Sequence, residues 1–218
     1  MNKNTEFIPA LRFSWLTKAF DPFLRLTMPE RKFKKDLLLQ GVLKENEVVL
    51  DFGCGTGTLV MMIKEMLKEV AVFGVDVDKK VLEIAREKIG NAGYEISLNE
   101  YDSVTLPYEN GSFDKVFSSL VFHHLKREQK INAIKEIYRV LKNDGEFHLL
   151  DFGKAQNIFT RSIFFIPQLL DGFENTQDNV NGLLPYFMKN AGFSGVVETK
   201  RLVTIFGSMS LYKAKKVL

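Results

Sequence analysis

The chain has a single cysteine, Cys54, among its 218 residues. One cysteine cannot form an internal disulfide, which excludes a disulfide-stapled secreted scaffold and favours a reducing compartment. No apolar run approaches the roughly 18 residues of a membrane-spanning helix, and the N-terminal MNKNTEFIPALRFSW lacks the apolar core of a signal peptide. These absences predict a cytoplasmic protein with no integral membrane segment.

The sequence also lacks an excess of either charge. Its 30 basic and 27 acidic residues give a net charge of +3, which is too balanced to indicate a nucleic-acid partner. Histidine is scarce, and two of the three histidines, His123 and His124, are adjacent. Because neighbouring side chains rarely point at one ion, and no acidic cluster with ligand spacing accompanies them, we expect no metal site.

Short apolar runs alternate with segments of helical periodicity along most of the chain. The runs at 48–50 and 70–75 each end in an aspartate and precede a helical segment, and the third histidine, His148, alternates within a later strand. Five such strand–helix units predict an α/β, doubly wound, mainly parallel sheet, because parallel strands need crossover helices. Residues 192–216 read as an antiparallel C-terminal hairpin with its turn at 206–208, which brings the sheet to seven strands.

Two segments fall outside this rhythm. Residues 1–40 are predicted to be an N-terminal helical cap on a domain that spans 41–218, with a lid insertion at about 154–182. Both segments are rich in aromatic and apolar residues. Residues 11–28 and 156–174 would therefore roof a hydrophobic pocket for a small, largely apolar ligand. The alternative, that these residues pack only against the sheet, remains open.

The stretch VVLDFGCGTGTLV, residues 48–60, carries three glycines at alternate positions: Gly53, Gly55 and Gly57. In an open α/β sheet a ligand lies where the first strand turns into the first helix, and glycine lets it approach the backbone amides. A dinucleotide fingerprint would have a third glycine at Thr58, so the spacing disfavours NAD. Asp51 would repel a pyrophosphate but attract a cation. S-adenosylmethionine, with its α-ammonium and sulfonium groups, fits this charge pattern.

VLDFGCGTG resembles the first motif of the class I S-adenosylmethionine-dependent methyltransferases. VFGVDVD, NEYDSVTLPYENGSFDKVFSSLVFHHL and VLKNDGEFHLLDFG resemble later motifs of the family in order and spacing, so the resemblance covers residues 40–153. It implies a Rossmann-like methyltransferase fold and methyl transfer from S-adenosylmethionine to a small acceptor by in-line displacement. Within the family the chain is most similar to the small-molecule branch that includes the ubiquinone and menaquinone C-methyltransferases.

The resemblance also implies a set of cofactor-binding residues. Asp76 would accept the ribose hydroxyls, Val77 would pack on the adenine, and Asp102 with the Ser103 amide would bind the adenine edge. The alternatives are helix capping for Asp76 and an Asx turn for Asp102. The full expected set is Asp51, Phe52, Gly53, Gly55, Gly57, Asp76, Val77, Asp102, Ser103, Ser119 and Leu120.

No catalytic residue is assigned, because an amine or thiol acceptor needs no base, whereas a phenol or carbon acid would benefit from one. The candidates for that base are His123, His124, Glu30, Asp171 and Glu174. The element that is methylated, the oligomeric state and a peripheral membrane contact remain open. The main alternative is a non-catalytic S-adenosylmethionine-binding module with an apolar partner or membrane-surface interface. A nicotinamide-dependent oxidoreductase is contradicted by the glycine spacing.

Overall fold

The computed structural model describes residues 30–154, 173–204 and 207–217. The elements in this part of the chain are α1 Glu30–Gly41, β1 Val48–Phe52, α2 Thr58–Met66, β2 Ala71–Asp76, α3 Lys79–Asn91, β3 Ser97–Glu100, β4 Phe113–Ser119, a 3-10 turn at Phe122–His124, α4 Arg127–Val140, β5 Leu141–Phe152, α5 Phe173–Val180, α6 Leu184–Asn190, β6 Ser194–Thr204 and β7 Gly207–Lys215. The seven described strands form one sheet in the order β3-β2-β1-β4-β5-β7-β6.

The sheet is mixed as the sequence predicts. Strands β3, β2, β1, β4 and β5 pair in parallel, and β7 runs antiparallel between β5 and β6. This confirms the doubly wound fold with its C-terminal hairpin. Because β1 lies between β2 and β4, the strand order reverses at β1, and the carboxyl end of β1 is the topological switch point where such folds bind ligands.

The prediction of five strand–helix units in succession is wrong at one step, because residues 101–112 pass from β3 to β4 without a helix. This segment contains Pro107 and several turn-forming residues, which oppose a helix. Backbone carbonyl oxygens that a helix would have bonded internally are bonded here by a side chain of α4. Arg139 donates to the carbonyl oxygens of Leu106 at 3.1 Å and Tyr108 at 2.8 Å.

Local sequence signals account for the ends of two elements. The Asp78 carboxylate accepts a hydrogen bond from the Lys80 amide at 2.8 Å, which confirms it as the N-cap of α3. The predicted turn NDG lies inside β5, where Asp144 has a φ of 65°. The pairing register between β4 and β5 shifts there, so these residues form a β-bulge within the strand instead of a turn before it.

The sheet buries apolar side chains on both faces. One core layer packs α1, α2 and α3 against the sheet through Leu37, Ile63 and Leu82, and the other packs α4 and α6 through Ile134 and Met188. The buried His148 stacks on Phe117 with ring centroids 5.0 Å apart, consistent with the structural role expected for it. Among the described helices none combines the length and apolarity needed to cross a membrane.

Most of the predicted roof, residues 11–28 and 156–172, lies outside the described residues, as does the candidate Asp171. Of the predicted turn at 206–208, Phe206 lies outside the described residues, whereas Gly207 and Ser208 belong to β7. The proposed domain boundaries therefore stay predictions. The described part of the predicted cap is α1, which buries Phe33, Leu37 and Leu38 against the core.

Candidate functional site

The glycine turn after β1 forms the centre of the candidate site. The Gly53 and Cys54 amides both donate to the Val75 carbonyl oxygen at 2.9 Å, and the Gly55 amide donates to the Asp76 carboxylate at 2.8 Å. These three amides therefore hold β1 to β2, and a ligand contact with the turn amides stays a prediction. Their role is to fix the shape of the turn.

The three glycines are required for three different reasons. A Cβ on Gly53 would lie 2.3 Å from Val121 Cγ2, and one on Gly57 would lie 3.2 Å from the Ala85 Cβ of α3. A Cβ on Gly55 would meet no atom within 4 Å. All three residues have positive φ, but only at Gly55 does the missing side chain leave open space. A ligand would approach the turn at Gly55.

Cys54 packs inward from the same turn. A Cβ placed on Gly74 of β2 would lie 2.9 Å from the Cys54 sulfur, so the strand needs glycine to admit the thiol. Burial raises the pKa of the Cys54 thiol, which keeps it protonated and inert as a nucleophile. The packing role expected for this cysteine is consistent with that position.

Asp76, at the end of β2, ties the second strand to the glycine turn. One carboxylate oxygen accepts from the Gly55 amide at 2.8 Å, and the other accepts from the Asp78 amide at 3.0 Å. Burial raises the pKa of Asp76, although these backbone donors partly oppose the rise. Each carboxylate oxygen retains a lone pair beyond these bonds, so ribose binding by Asp76 stays a prediction that the geometry allows.

Asp51 is the electrostatic centre of the site. Its side chain is 2% exposed, and no hydrogen bond reaches its carboxylate from any described residue. Burial raises the pKa of Asp51 to about 7, with Lys34 opposing the rise and Asp76 and Glu30 adding to it. A buried carboxylate without a partner is costly, and a bound cation would relieve that cost.

The chain just after β4 completes this edge of the site. Ser118 donates its hydroxyl to the Phe52 carbonyl oxygen at 2.9 Å, whereas the buried Ser119 hydroxyl has no hydrogen-bond partner in the described structure. Leu120 has a φ of 60°, a strained backbone conformation for a non-glycine residue. The Ser119 hydroxyl, the Asp51 carboxylate and the open side of Gly55 fit a ligand that carries a cation and hydrogen-bonding groups, as S-adenosylmethionine does.

Sequence comparison finds known proteins that resemble the part of the chain around this turn. Residues 49–145 match the family described as "Methyltransferase domain". A demethylmenaquinone methyltransferase of Thermus thermophilus is 35% identical over 122 residues, which are 56% of this chain and 53% of that protein. The matched residues 49–145 include the glycine turn, Asp51 and Asp76, so the part of the chain that forms the candidate site is similar to a methyltransferase domain.

Solved structures share the fold of this chain. The YcgJ protein from Bacillus subtilis superposes with a TM-score of 0.72 at 16% identity, covering 86% of this chain and 99% of that one. A SAM-dependent methyltransferase from Aquifex aeolicus gives 0.66 at 19% identity, covering 90% and 98%. The chain spans about half the length of the curated relatives it matches.

Asp102 and Ser103, the predicted adenine contacts, follow β3. The Asp102 carboxylate accepts from the Val104 and Thr105 amides, each at 2.8 Å, so the Asx turn weighed as its alternative role is present. These bonds lower the pKa of Asp102 and keep it ionised at neutral pH. Its second oxygen makes neither bond, and the adenine contact stays a prediction.

Phe52 and Val77 contribute in different ways. The Phe52 ring is 3% exposed and packs edge-on against Tyr101 with centroids 5.6 Å apart, so its side chain belongs to the core. Only the Phe52 backbone is placed for a cofactor contact. Val77 directly follows Asp76 and is half-buried.

Four of the five candidate catalytic residues lie among the described residues. His123 is 4% exposed and its ring lies 3.9 Å from the ring of His124, centroid to centroid. Glu30 pairs with Lys34 at 2.6 Å on α1, and Glu174 is exposed on α5. No base is assigned from these positions. Within the described ranges no three His, Cys, Asp or Glu side chains gather as a metal site requires.

Sequence reasoning missed Asp151, at the end of β5. This carboxylate is fully buried, and its Oδ1 lies 2.9 Å from His123 Nδ1. Burial alone would raise the pKa of Asp151, but the charge and hydrogen bond of His123 together with backbone donors lower it. The available signal was the single acid in the otherwise apolar run HLLDF, since a lone acid in a buried strand needs partners.

Proposed function

We propose that the whole chain transfers the methyl group of S-adenosylmethionine to a ring carbon of a small, largely apolar quinol-type acceptor. The observation that carries methyl transfer is the Asp51 carboxylate, which is buried and accepts no hydrogen bond from the described residues, next to the glycine turn that is open at Gly55. The support for a quinol comes from relatives named demethylmenaquinone methyltransferases, which are 35% identical over 56% and 58% of this chain.

S-adenosylmethionine supplies an electrophilic methyl group on a sulfonium, which is a good leaving group. The protein residues therefore need to orient, shield and balance charge more than to activate. Asp51 balances the positive charge of the cofactor, and Asp76 holds the turn that shapes its binding site. In the net reaction a carbon–sulfur bond breaks, a carbon–carbon bond forms, and the ring carbon loses its proton to water or to a basic side chain.

The experiment that tests this proposal follows the methyl group. Purified protein is incubated with S-adenosylmethionine carrying a labelled methyl and with demethylmenaquinone, either chemically reduced or left oxidised. We expect label in the extracted lipid only with the reduced acceptor, because the hydroquinol ring is the more nucleophilic form. A matched reaction with Asp76→Ala should lose most of the product at limiting cofactor.

Two other outcomes would contradict the proposal. Label that enters only nucleic acid or protein from an added cell extract would exclude a small apolar acceptor. Tight binding of S-adenosylmethionine without transfer to any fraction would support the non-catalytic binding module instead.

A further inference from the structure

The Asp151 carboxylate lies where three segments of the chain meet. Its Oδ2 atom accepts from two successive amides after β4, those of Val121 at 3.1 Å and Phe122 at 2.7 Å. Two charge-assisted bonds from adjacent residues fix both the position and the direction of that backbone. The segment after β4 is thus held in place from β5.

The other oxygen, Oδ1, faces the helix α5. It accepts from Asn179 Nδ2 at 3.0 Å and from the Phe152 amide at 2.7 Å, with His123 Nδ1 at 2.9 Å. Asn179 also donates to the Phe152 carbonyl oxygen at 3.1 Å. The Oδ2 atom therefore contacts only the chain after β4 among the described residues, whereas Oδ1 contacts α5 together with His123 and the Phe152 amide.

The segment held by Oδ2 adjoins the cofactor crevice. Val121 directly follows Ser119 and Leu120, and its side chain fills the space against which a Cβ on Gly53 would clash at 2.3 Å. Because Val121 packs closely against Gly53, a displacement of Val121 would also shift the glycine turn. Packed side chains transmit such shifts because protein interiors have little free volume.

The helix α5 docks through polar groups. Among its described side chains the buried ones are Asn175, Thr176, Asp178, Asn179 and Val180. Arg127 forms an ion pair with Asp178, and the buried Lys130 donates to the Asn175 carbonyl oxygen. Buried ion pairs roughly break even against their desolvation, so the docking of this helix depends on the directions of its polar partners.

We propose that Asp151 is a positioning residue that couples α5 to the cofactor crevice. Bound cofactor orders the segment after β4, that segment fixes the Asp151 carboxylate, and the carboxylate fixes Asn179 and with it α5. The coupling rests on the proposed cofactor site, and it goes beyond that site by assigning α5 a response to binding.

Asp151→Asn changes the Oδ1 side of this contact. The Val121 and Phe122 amides both need an acceptor, so the amide oxygen takes the place of Oδ2 and the amide nitrogen faces Asn179, the Phe152 amide and His123 Nδ1. The amide nitrogen then meets the donors of Asn179 and Phe152, while the bonds from the Val121 and Phe122 amides persist. Asn179→Ala removes the same contact from the other side, and Asn179→Leu repeats the test with more of the side-chain volume kept.

The matched control is Asp114→Asn. The Asp114 carboxylate likewise accepts from a backbone amide, that of Val48 at 2.8 Å, and from a side chain, Lys142 at 2.8 Å. It lies at the amino end of β4, away from the crevice. Its substitution tests the general effect of removing one carboxylate from the domain.

The test is hydrogen exchange of the full chain with and without S-adenosylhomocysteine, the product analogue, whose binding is checked by calorimetry. In the wild type and in Asp114→Asn we expect the probe to slow exchange about fivefold or more in both 119–125 and 173–181. In Asp151→Asn and both Asn179 variants, 119–125 should still respond and 173–181 should not. Turnover of reduced demethylmenaquinone should fall about tenfold in Asp151→Asn and both Asn179 variants, while the KM for S-adenosylmethionine changes by less than about threefold.

The outcomes separate the coupling from the proposed function. If the probe binds and protects 119–125 of the wild type but leaves 173–181 unchanged, the coupling is wrong and the cofactor site stands. The coupling is also wrong if 173–181 responds fully in the Asn179 variants. If the probe does not bind the wild type at all, both the coupling and the proposed function are overturned.

Discussion

The Asp76 carboxylate accepts a hydrogen bond from the Gly55 amide at 2.8 Å, so the acid at the end of β2 shapes the turn at the end of β1. The two residues lie on neighbouring parallel strands. Asp76 therefore holds the glycine turn in shape and, in the proposed complex, also accepts hydrogen bonds from the ribose.

Asp76→Ala should weaken S-adenosylmethionine binding by roughly 1 to 3 kcal/mol, because it removes a charged acceptor from a largely buried site. Isothermal titration calorimetry measures the change. Asp78→Ala, two residues away, is the control because it removes the N-cap of α3. It should lower the free energy of unfolding by about 0.5 to 2 kcal/mol and leave the affinity for the cofactor unchanged. Equal binding losses in the two variants would contradict the assignment of Asp76.

Cofactor affinity should fall as the pH drops below about 7. The pKa of Asp51 is raised to about 7 in the empty site, and a cation binds the ionised form better than the protonated form. Each pH unit below the pKa should therefore cost up to about tenfold in affinity. Calorimetry from about pH 5.5 to 8.5 in buffers of different ionisation enthalpy would show the proton released on binding, and Asp51→Asn should give a flat profile.

The same group predicts the sign of a stability change. The folded protein binds the Asp51 proton more tightly than the unfolded chain does, so the free energy of unfolding should decrease as the pH rises from about 4 to 7 by this contribution. Urea denaturation of the wild type and Asp51→Asn across that range isolates it. A difference between the two curves that grows toward low pH in favour of Asp51→Asn would contradict the raised pKa.

Gly55→Val should abolish measurable cofactor binding while the domain still folds. A Cβ at this position meets no described atom within 4 Å apart from its chain neighbours, so the main cost to stability is the left-handed backbone, roughly 1 to 2 kcal/mol. Gly53→Ala should behave in the opposite way, because its Cβ clashes with Val121 and lowers stability by about 1 to 3 kcal/mol. Thermal unfolding and calorimetry on both variants check this pair.

His148 should make the fold less stable in acid. Burial lowers the pKa of His148, with Glu146 partly opposing, so the unfolded chain takes up its proton first as the pH falls below about 6.5. The Gln40 amide lies 3.0 Å from His148 Nδ1 and also donates to the Tyr212 carbonyl oxygen, so a proton on Nδ1 would face a donor. His148→Gln should flatten the loss of unfolding free energy between about pH 6.5 and 5, measured by urea denaturation. An unchanged slope in that variant would assign the acid sensitivity to other groups.

The sequence by itself determined the strands, the switch point and the charge of the site. Runs such as VVLDF and AVFGVD fix strands locally, the glycine spacing fixes the turn, and the acids at the strand ends lie at one edge because the strands are parallel. The N-cap at Asp78 and the hairpin were likewise local signals. Each depends on neighbours within a few residues, which periodicity and turn chemistry report directly.

Only the tertiary structure decided which atoms these groups meet. The Gly53 and Gly55 amides donate to Val75 and Asp76 of β2, the Gly57 amide donates to the Cys54 carbonyl oxygen, and among the three glycines only Gly55 has open space at the position of a Cβ. Asp151 forms hydrogen bonds with Val121 and Asn179, which are 30 and 28 residues away in the sequence, and no local sequence pattern predicts such contacts. Hydrogen bonds over these separations follow from strand order and helix docking, because a buried carboxylate must take its partners from whatever the fold packs around it.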